Sequence, residues 1–224
     1  SPWLRRSAES SSVFQGRKIA MIWNGVDLEN FKPMGRIDAR KALNLSVSRP
    51  IILLGASRLG SVLKGYDELL DALMNLRVHE EFDVVRFGHV SMESKKYKWV
   101  RDFGYVDDRR ILNAIYSAAD IFLAPSPQEA FGKTVVESLA SGTPVVVFEG
   151  SGSAEIIVHN ECGKVVERDD FREFAANALE FMKFSRNREL IRSNCVHRSA
   201  GFSDQKSALS YIDLYKAILR QLSS

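Results

Sequence analysis

The sequence predicts an α/β fold: a single Rossmann-like domain with a parallel sheet covered by helices on both faces, followed by a long C-terminal helix. Three observations carry this. Continuous apolar runs of strand length recur at Pro50–Leu54, Phe82–Gly88, Ala119–Pro125 and Val145–Phe148, as expected of strands buried on both faces. Segments with helical apolar spacing separate them. Turn signals such as Asn24-Gly25 and Gly142-Thr143-Pro144 punctuate the alternation.

Taken in order, Lys18–Trp23 reads as a short strand ended by Asn24-Gly25, and Asp27–Pro33 as irregular. Ile37–Leu43 reads as a helix and Pro50–Leu54 as a strand. Tyr66–Leu76 is amphipathic, with Leu69, Leu70, Leu73 and Leu76 on one side. Phe82–Gly88 is the next strand, Arg101–Val106 is extended, and Arg109–Ala118 is helical. The strand Ala119–Pro125 leads through a loop to a helix, Thr134–Ser141, whose apolar face is Val135, Val136, Leu139 and Ala140. After Val145–Phe148 come a short helix at Ala154–Val158 and a short strand at Gly163–Val166. Helices are then expected over Asp170–Lys183, Arg186–Ser199 and Gln205–Leu222. The expected division is residues 1–18 as an interdomain connection, 19–201 as the domain and 202–224 as the final helix. The opening Ser1-Pro2-Trp3-Leu4, without Met, reads as a cut through a longer protein, a natural start with its Met removed being the other reading.

The 224 residues are enough for a substantial core. A formal charge of +3 suits anionic small ligands or an acidic membrane surface and is too weak to argue for nucleic acid. Cys162 and Cys195 are not spaced as a metal or redox pair, which suggests a reducing compartment. No apolar run reaches membrane-spanning length and no secretory signal is present. His79, His89, His159 and His197 have no ligand spacing, and Trp3, Trp23 and Trp99 read as packing residues.

Three loops are suited to anions. The first, Gly55–Gly65, leaves a strand and enters a helix. It misses the phosphate-loop pattern because Ser61 stands where Lys is required. Arg58 and Lys64 flank the helix start, where the dipole disfavours cations. An anion between them would account for their presence, Arg offering a planar fork and Lys a point charge; two solvated loop charges are the alternative. The second, Phe131-Gly132-Lys133-Thr134, allows close backbone approach at Gly132 and offers the unpaired amides of Lys133 and Thr134; an ordinary glycine turn into a helix is the alternative. The third is Gly150-Ser151-Gly152-Ser153, which reads equally as a plain connection. Around the second stand Glu129 and Glu137, eight residues apart. Each alone is explicable by the helix dipole or a surface ion pair. A carboxylate accepts hydrogen bonds from hydroxyls and repels phosphate, so two of them beside an anion pocket suggest a ligand with hydroxyls on both sides of a diphosphate. A nucleoside diphosphate sugar is such a ligand.

These residues resemble the C-terminal half of retaining glycosyltransferases of the GT-B fold, glycosyltransferase family 4. The likeness runs through Asn24-Gly25-Val26-Asp27 with Phe31 and Pro33, then Arg58 and Lys64-Gly65, and Phe103-Gly104-Tyr105-Val106. It continues through the Glu129/Glu137 pair and Gly142-Thr143-Pro144-Val145-Val146 to Phe202–Leu219. The last stretch resembles the family's helix that crosses back to the first domain. The resemblance implies that Glu129 holds donor-sugar hydroxyls and Glu137 the ribose, and that Arg58 and Lys64 neutralise the leaving diphosphate. It implies further that Phe131, Gly132, Lys133 and Thr134 line the sugar and phosphate, and that Val106 meets the base through its backbone. On this resemblance Glu129, Arg58 and Lys64 are the catalytic set. The donor is a UDP-sugar or a GDP-sugar, with no cofactor and no metal, in keeping with the lack of an Asp-x-Asp motif. The resemblance implies a glycan or lipid-linked acceptor, a role in polysaccharide or lipopolysaccharide biosynthesis, and an N-terminal acceptor domain beyond this chain. It also implies a cytoplasmic location, with the basic Lys95-Lys96-Tyr97-Lys98 either a solvated run or a contact to an acidic membrane face. The isolated chain is expected to bind donor weakly and transfer nothing. A nucleotide-sugar epimerase of the same fold and a catalytically silent nucleotide-binding module are the alternatives.

Overall fold

The computed structural model describes residues 1–59, 65–90, 96–167, 170–184 and 187–222, Arg58 and Phe184 by their backbone only. The elements are α1 (Pro2–Glu9), α2 (Arg36–Ala42), β1 (Ile51–Arg58), α3 (Tyr66–Leu76), β2 (Asp83–His89) and β3 (Arg101–Asp102). They continue with α4 (Arg109–Ala118), β4 (Ile121–Ala124), α5 (Lys133–Ala140), β5 (Val145–Phe148) and β6 (Gly163–Val166). Three helices close the chain: α6 (Phe171–Phe184), α7 (Arg188–Ser199) and α8 (Asp204–Leu222).

The six strands are parallel, in the order β3-β2-β1-β4-β5-β6. Alternate residues of the central strands feed two cores. Ile51, Leu53, Phe122, Ala124, Val145 and Val147 face the side covered by α4, α5 and α7. Ile52, Leu54, Ile121, Leu123, Val146 and Phe148 face α3 and α6. The period of two along each strand therefore fills both sides of the sheet, which is why these strands read as unbroken apolar runs.

Two expectations are corrected and a third is delimited. Lys18–Trp23 joins no ladder; its apolar members pack elsewhere, Trp23 lying against Phe131 and Phe202. Ala154–Val158 forms turns rather than a helix, closed by bonds from Ile156 N–H to Ser153 O and Ile157 N–H to Ala154 O. Of the extended stretch Arg101–Val106, Arg101 and Asp102 form β3, and beyond them Phe103 and Gly104 still bond to β2 through Phe103 N–H to Arg86 O and Gly88 N–H to Gly104 O.

The two central strands are locked at their amino ends by one carboxylate. Asp120 immediately precedes β4, and its side chain is 2 % exposed. Its Oδ2 accepts from the Ile51 amide at the start of β1 and from Arg40, both at 2.7 Å. Its Oδ1 accepts from Arg36 and Arg188. Arg40, 1 % exposed, also donates to the carbonyls of Ala118 (2.8 Å) and Arg49 (3.0 Å). Burial alone would raise the Asp120 pKa, but Arg40, the Ile51 amide, Arg188 and Arg36 outweigh it and hold the group below the ordinary carboxylate range. Asp120→Ala would leave Arg40 charged and unpaired in the interior, and should cost about 3–5 kcal/mol in urea unfolding at neutral pH. Because the folded-state pKa is depressed, the stability from Asp120 is present above the ordinary carboxylate pKa. It is lost as pH falls through the folded value, so the gap between the two proteins should narrow in acid.

Candidate functional site

In an open parallel sheet the ligand crevice lies at the carboxyl ends of the strands, where the strand order reverses. Here the chain winds outward through β1, β2 and β3, then in the opposite direction through β4, β5 and β6. The reversal falls between β1 and β4. The loops after those two strands are the first and second of the anion-suited loops.

The described ends of the first loop meet the second. A Cβ built on Gly65 would stand 3.2 Å from the Pro125 carbonyl and 2.6 Å from the Phe171 ring, so only glycine fits there. The buried Tyr66 hydroxyl donates to the Gly55 carbonyl at 2.8 Å. Burial, and then the charge of Glu129, raise the Tyr66 pKa.

The second and third loops form one packed layer. The Gly152 amide donates to the Glu129 carbonyl at 2.6 Å, and a Cβ on Gly152 would come within 2.1 Å of the Ala130 carbonyl. Gly132 has φ +90°, and a Cβ there would stand 2.5 Å from Ser153 Oγ. Ser151 Oγ donates to the Phe148 carbonyl and accepts from the Ala154 amide. Gly132 is also the N-cap of α5, and no side chain caps that helix start. The amides of Lys133 and Thr134 open α5, at the positive end of its dipole.

Glu137 sits just over one turn into α5. It accepts from the Tyr116 hydroxyl of α4 at 3.0 Å. Burial raises its pKa, opposed by the Tyr116 hydrogen bond and by the charges of Lys133 and Arg109. Arg109, at the start of α4, also pairs with Asp27. Val106 is half-buried on a neighbouring loop. That loop is held by Phe103 N–H to Arg86 O (2.9 Å) and Gly88 N–H to Gly104 O (2.7 Å). Tyr105 stacks on His89 with ring centroids 4.7 Å apart.

Glu129, Phe131, Gly132, Lys133, Thr134 and Glu137 therefore occupy one loop and the first turns of one helix. Phe131 is buried against Trp23 and Phe202, which leaves its backbone, not its ring, for a ligand. Arg58 ends β1, its Cα opposite His89 at a register shift; its side chain, and all of Lys64, lie outside the described residues. Among the described residues no three His, Cys, Asp or Glu side chains group to hold a metal. Sequence reasoning missed Tyr66, Tyr116 and the Asp27–Arg109 pair. The signal available for Tyr116 was its place on the apolar face of α4, where a buried hydroxyl needs an acceptor.

Because the Glu137 pKa is raised, the folded state holds this proton more tightly than the unfolded chain. The stability of the unliganded protein thus falls as pH rises through that window. Glu137→Gln keeps an acceptor for Tyr116 and removes the buried charge. Its melting temperature relative to the unaltered protein should rise on going from pH 4 to pH 8; a difference independent of pH would contradict this assignment.

A family model described as "Glycosyl transferases group 1" matches residues 50–183. The "GDP-mannose-dependent alpha-(1-6)-phosphatidylinositol dimannoside mannosyltransferase" of Mycobacterium tuberculosis is 33 % identical over 195 residues, covering 84 % of this chain and 49 % of that protein. The chain spans about half the length of most of the curated relatives it matches. Among solved structures, sucrose-phosphate synthase from Thermosynechococcus elongatus superposes with a TM-score of 0.85 at 24 % identity, over 99 % of this chain and 57 % of that one. Anabaena HepE in complex with UDP superposes with a TM-score of 0.74 at 21 % identity, over 88 % of this chain and 57 % of that one.

Proposed function

The chain belongs to the group 1 glycosyl transferases, and from that premise we propose that it is the donor-binding part of an enzyme transferring a sugar from a nucleoside diphosphate sugar. The observation that carries the reading is the start of α5: a helix N-terminus without a side-chain cap, at the sheet's switch point, flanked by Glu129 and Glu137. The amides of Lys133 and Thr134 take the phosphate side of the donor. Glu137, held by Tyr116, accepts from ribose hydroxyls, and Glu129 accepts from the sugar. Val106 offers its backbone to the base. Arg58 and Lys64 neutralise the diphosphate.

The reaction breaks the bond between the anomeric carbon and the diphosphate oxygen, the electron pair leaving with the diphosphate. A bond to the acceptor oxygen forms and one proton is released. Negative charge grows on the leaving group, so fixed amides and cations at that point lower the barrier. Glu129 positions sugar hydroxyls, anomeric configuration is retained, and no metal step is invoked. The curated mannosyltransferase relative is named for GDP-mannose and the HepE structure contains UDP. The donor here is a UDP-sugar or a GDP-sugar, with a glycan or lipid-linked acceptor.

The acceptor side belongs to a further domain of the same protein. No residue of α8 is buried, and Tyr211, Ile212, Tyr215 and Ile218 stand 43–58 % exposed, an apolar row suited to that domain. A cytoplasmic location, with peripheral contact to the membrane face, completes the reading; no described helix is long and apolar enough to cross a membrane.

Calorimetric titration with UDP and GDP, then with their sugars, tests the reading. Binding of one nucleotide is expected, weakened by roughly 1.5–3 kcal/mol in each of Arg58→Ala and Lys64→Ala. Unchanged affinity in both variants would place the pocket elsewhere. In a turnover assay this chain alone should show no sustained transfer; turnover would refute the need for the second domain.

A further inference from the structure

A cavity of ≈ 490 Å³ opens at the amino end of the sheet, on the opposite side from the donor crevice. That volume lies within the range of small-molecule sites. Its walls come from the start of α2, the β4 entry at Asp120, the Gly142–Pro144 turn and the first turns of α7.

The chemistry of this cavity is set by the saturation of Asp120. A carboxylate has about four acceptor positions, and those of Asp120 are taken by Arg36, Arg188, Arg40 and the Ile51 amide. Arg40 is buried and its other bonds go to backbone carbonyls. Arg36 and Arg188 differ from it. Both reach the same oxygen, Oδ1, and both line the cavity, with side chains 34 % and 51 % exposed. Two guanidiniums are thereby held side by side against one negative charge, each with further N–H donors. Among the described residues neither has a second ion-pair partner. Arg192 adds a third guanidinium at the wall. It donates to the Met34 carbonyl at 2.6 Å, and its stem packs over Gly142, where a Cβ would meet Cγ at 2.8 Å. Asp38 and Glu189 also line the cavity, so with Arg40 behind the wall four arginines stand against three carboxylates. Like charges fixed this close repel, and a dianion opposite Asp120 offsets that repulsion. Guanidinium forks match phosphate oxygens in geometry. Ile37, Pro144, Met182 and Ile191 supply an apolar wall beside them.

We propose that this cavity is a second ligand site, taking a small phosphate-bearing molecule between Arg36 and Arg188 with Arg192 at its rim. The proposal does not depend on the donor reading, because the two sites lie at opposite ends of the strands.

The test is titration with inorganic phosphate at constant ionic strength, chloride serving as the control, in the presence and absence of saturating UDP or GDP. Phosphate should bind saturably, and nucleotide should leave that binding in place. In the double variant R36Q/R188Q, which keeps the Arg40–Asp120–Ile51 lock, phosphate affinity should fall about tenfold or more while nucleotide affinity is unchanged. Phosphate affinity equal in the two proteins, or no saturable binding beyond the chloride control, overturns the site. Should the double variant not fold, the arginine Nε–H resonances of the unaltered protein decide. Shifts at Arg36 and Arg188 on adding phosphate support the site; their constancy refutes it. If nucleotide fails to bind, the donor reading falls and the phosphate result still stands by itself.

Discussion

The Asp120 carboxylate is the constraint on which the rest of the molecule is arranged. It ties the first amide of β1 to the chain just before β4, the two strands between which the winding direction reverses. A sheet that reverses direction opens a crevice at that one place, and the width of the opening depends on how the two strands are set against each other. The lock lies at the amino ends of the two strands. An ion pair this deep is poor evidence of net stability, since desolvation offsets much of the attraction; its stronger effect is to make any other pairing of β1 and β4 costly.

At the other end of the sheet the electrostatics run against folding. Glu137 is carried into a half-buried position with its pKa pushed up by burial, and its neutral partner Tyr116 lies wholly in the interior. An ordinary surface helix would turn such a carboxylate to water. Its retention beside an uncapped helix start is the kind of local cost that a binding site accepts in exchange for a poised acceptor.

Much of the architecture was legible because burial on both faces leaves unmistakable runs. Val145–Phe148 and Gly163–Val166 match their observed strands residue for residue, as do the helices Tyr66–Leu76 and Arg109–Ala118. Lys18–Trp23 deceived because a short apolar run does not by itself supply a neighbouring strand to pair with. Here no residue of the run is fully buried, and Trp23 is held by aromatic contacts to Phe131 and Phe202 instead. Ala154–Val158 deceived because its helical spacing is only one turn long, too short to outweigh the serine and cysteine side chains that bond its backbone instead. In the candidate site, Glu129, Gly132 and Glu137 stood out only as a set, two carboxylates on either side of a glycine loop at a helix start, each being explicable alone. Tyr116 and Arg109 did not, because their partnership with Glu137 spans more than twenty residues and exists only once α4 and α5 are packed.

One junction has a mechanical consequence. Val26 and Ser203 bridge in parallel, through Val26 N–H to Phe202 O and Asp204 N–H to Val26 O. Ser207 Oγ donates to Trp23 O beside them. Gly25 presses so closely on Asp204 that a Cβ there would meet its Cα at 2.6 Å. The segment entering the domain and the helix leaving it are thus riveted into a double cord. A displacement of either drags the other, and both are seated through Trp23 and Phe202 on Phe131, the residue next to the cap of α5. Whatever pulls on that cord is felt first at the floor of the crevice.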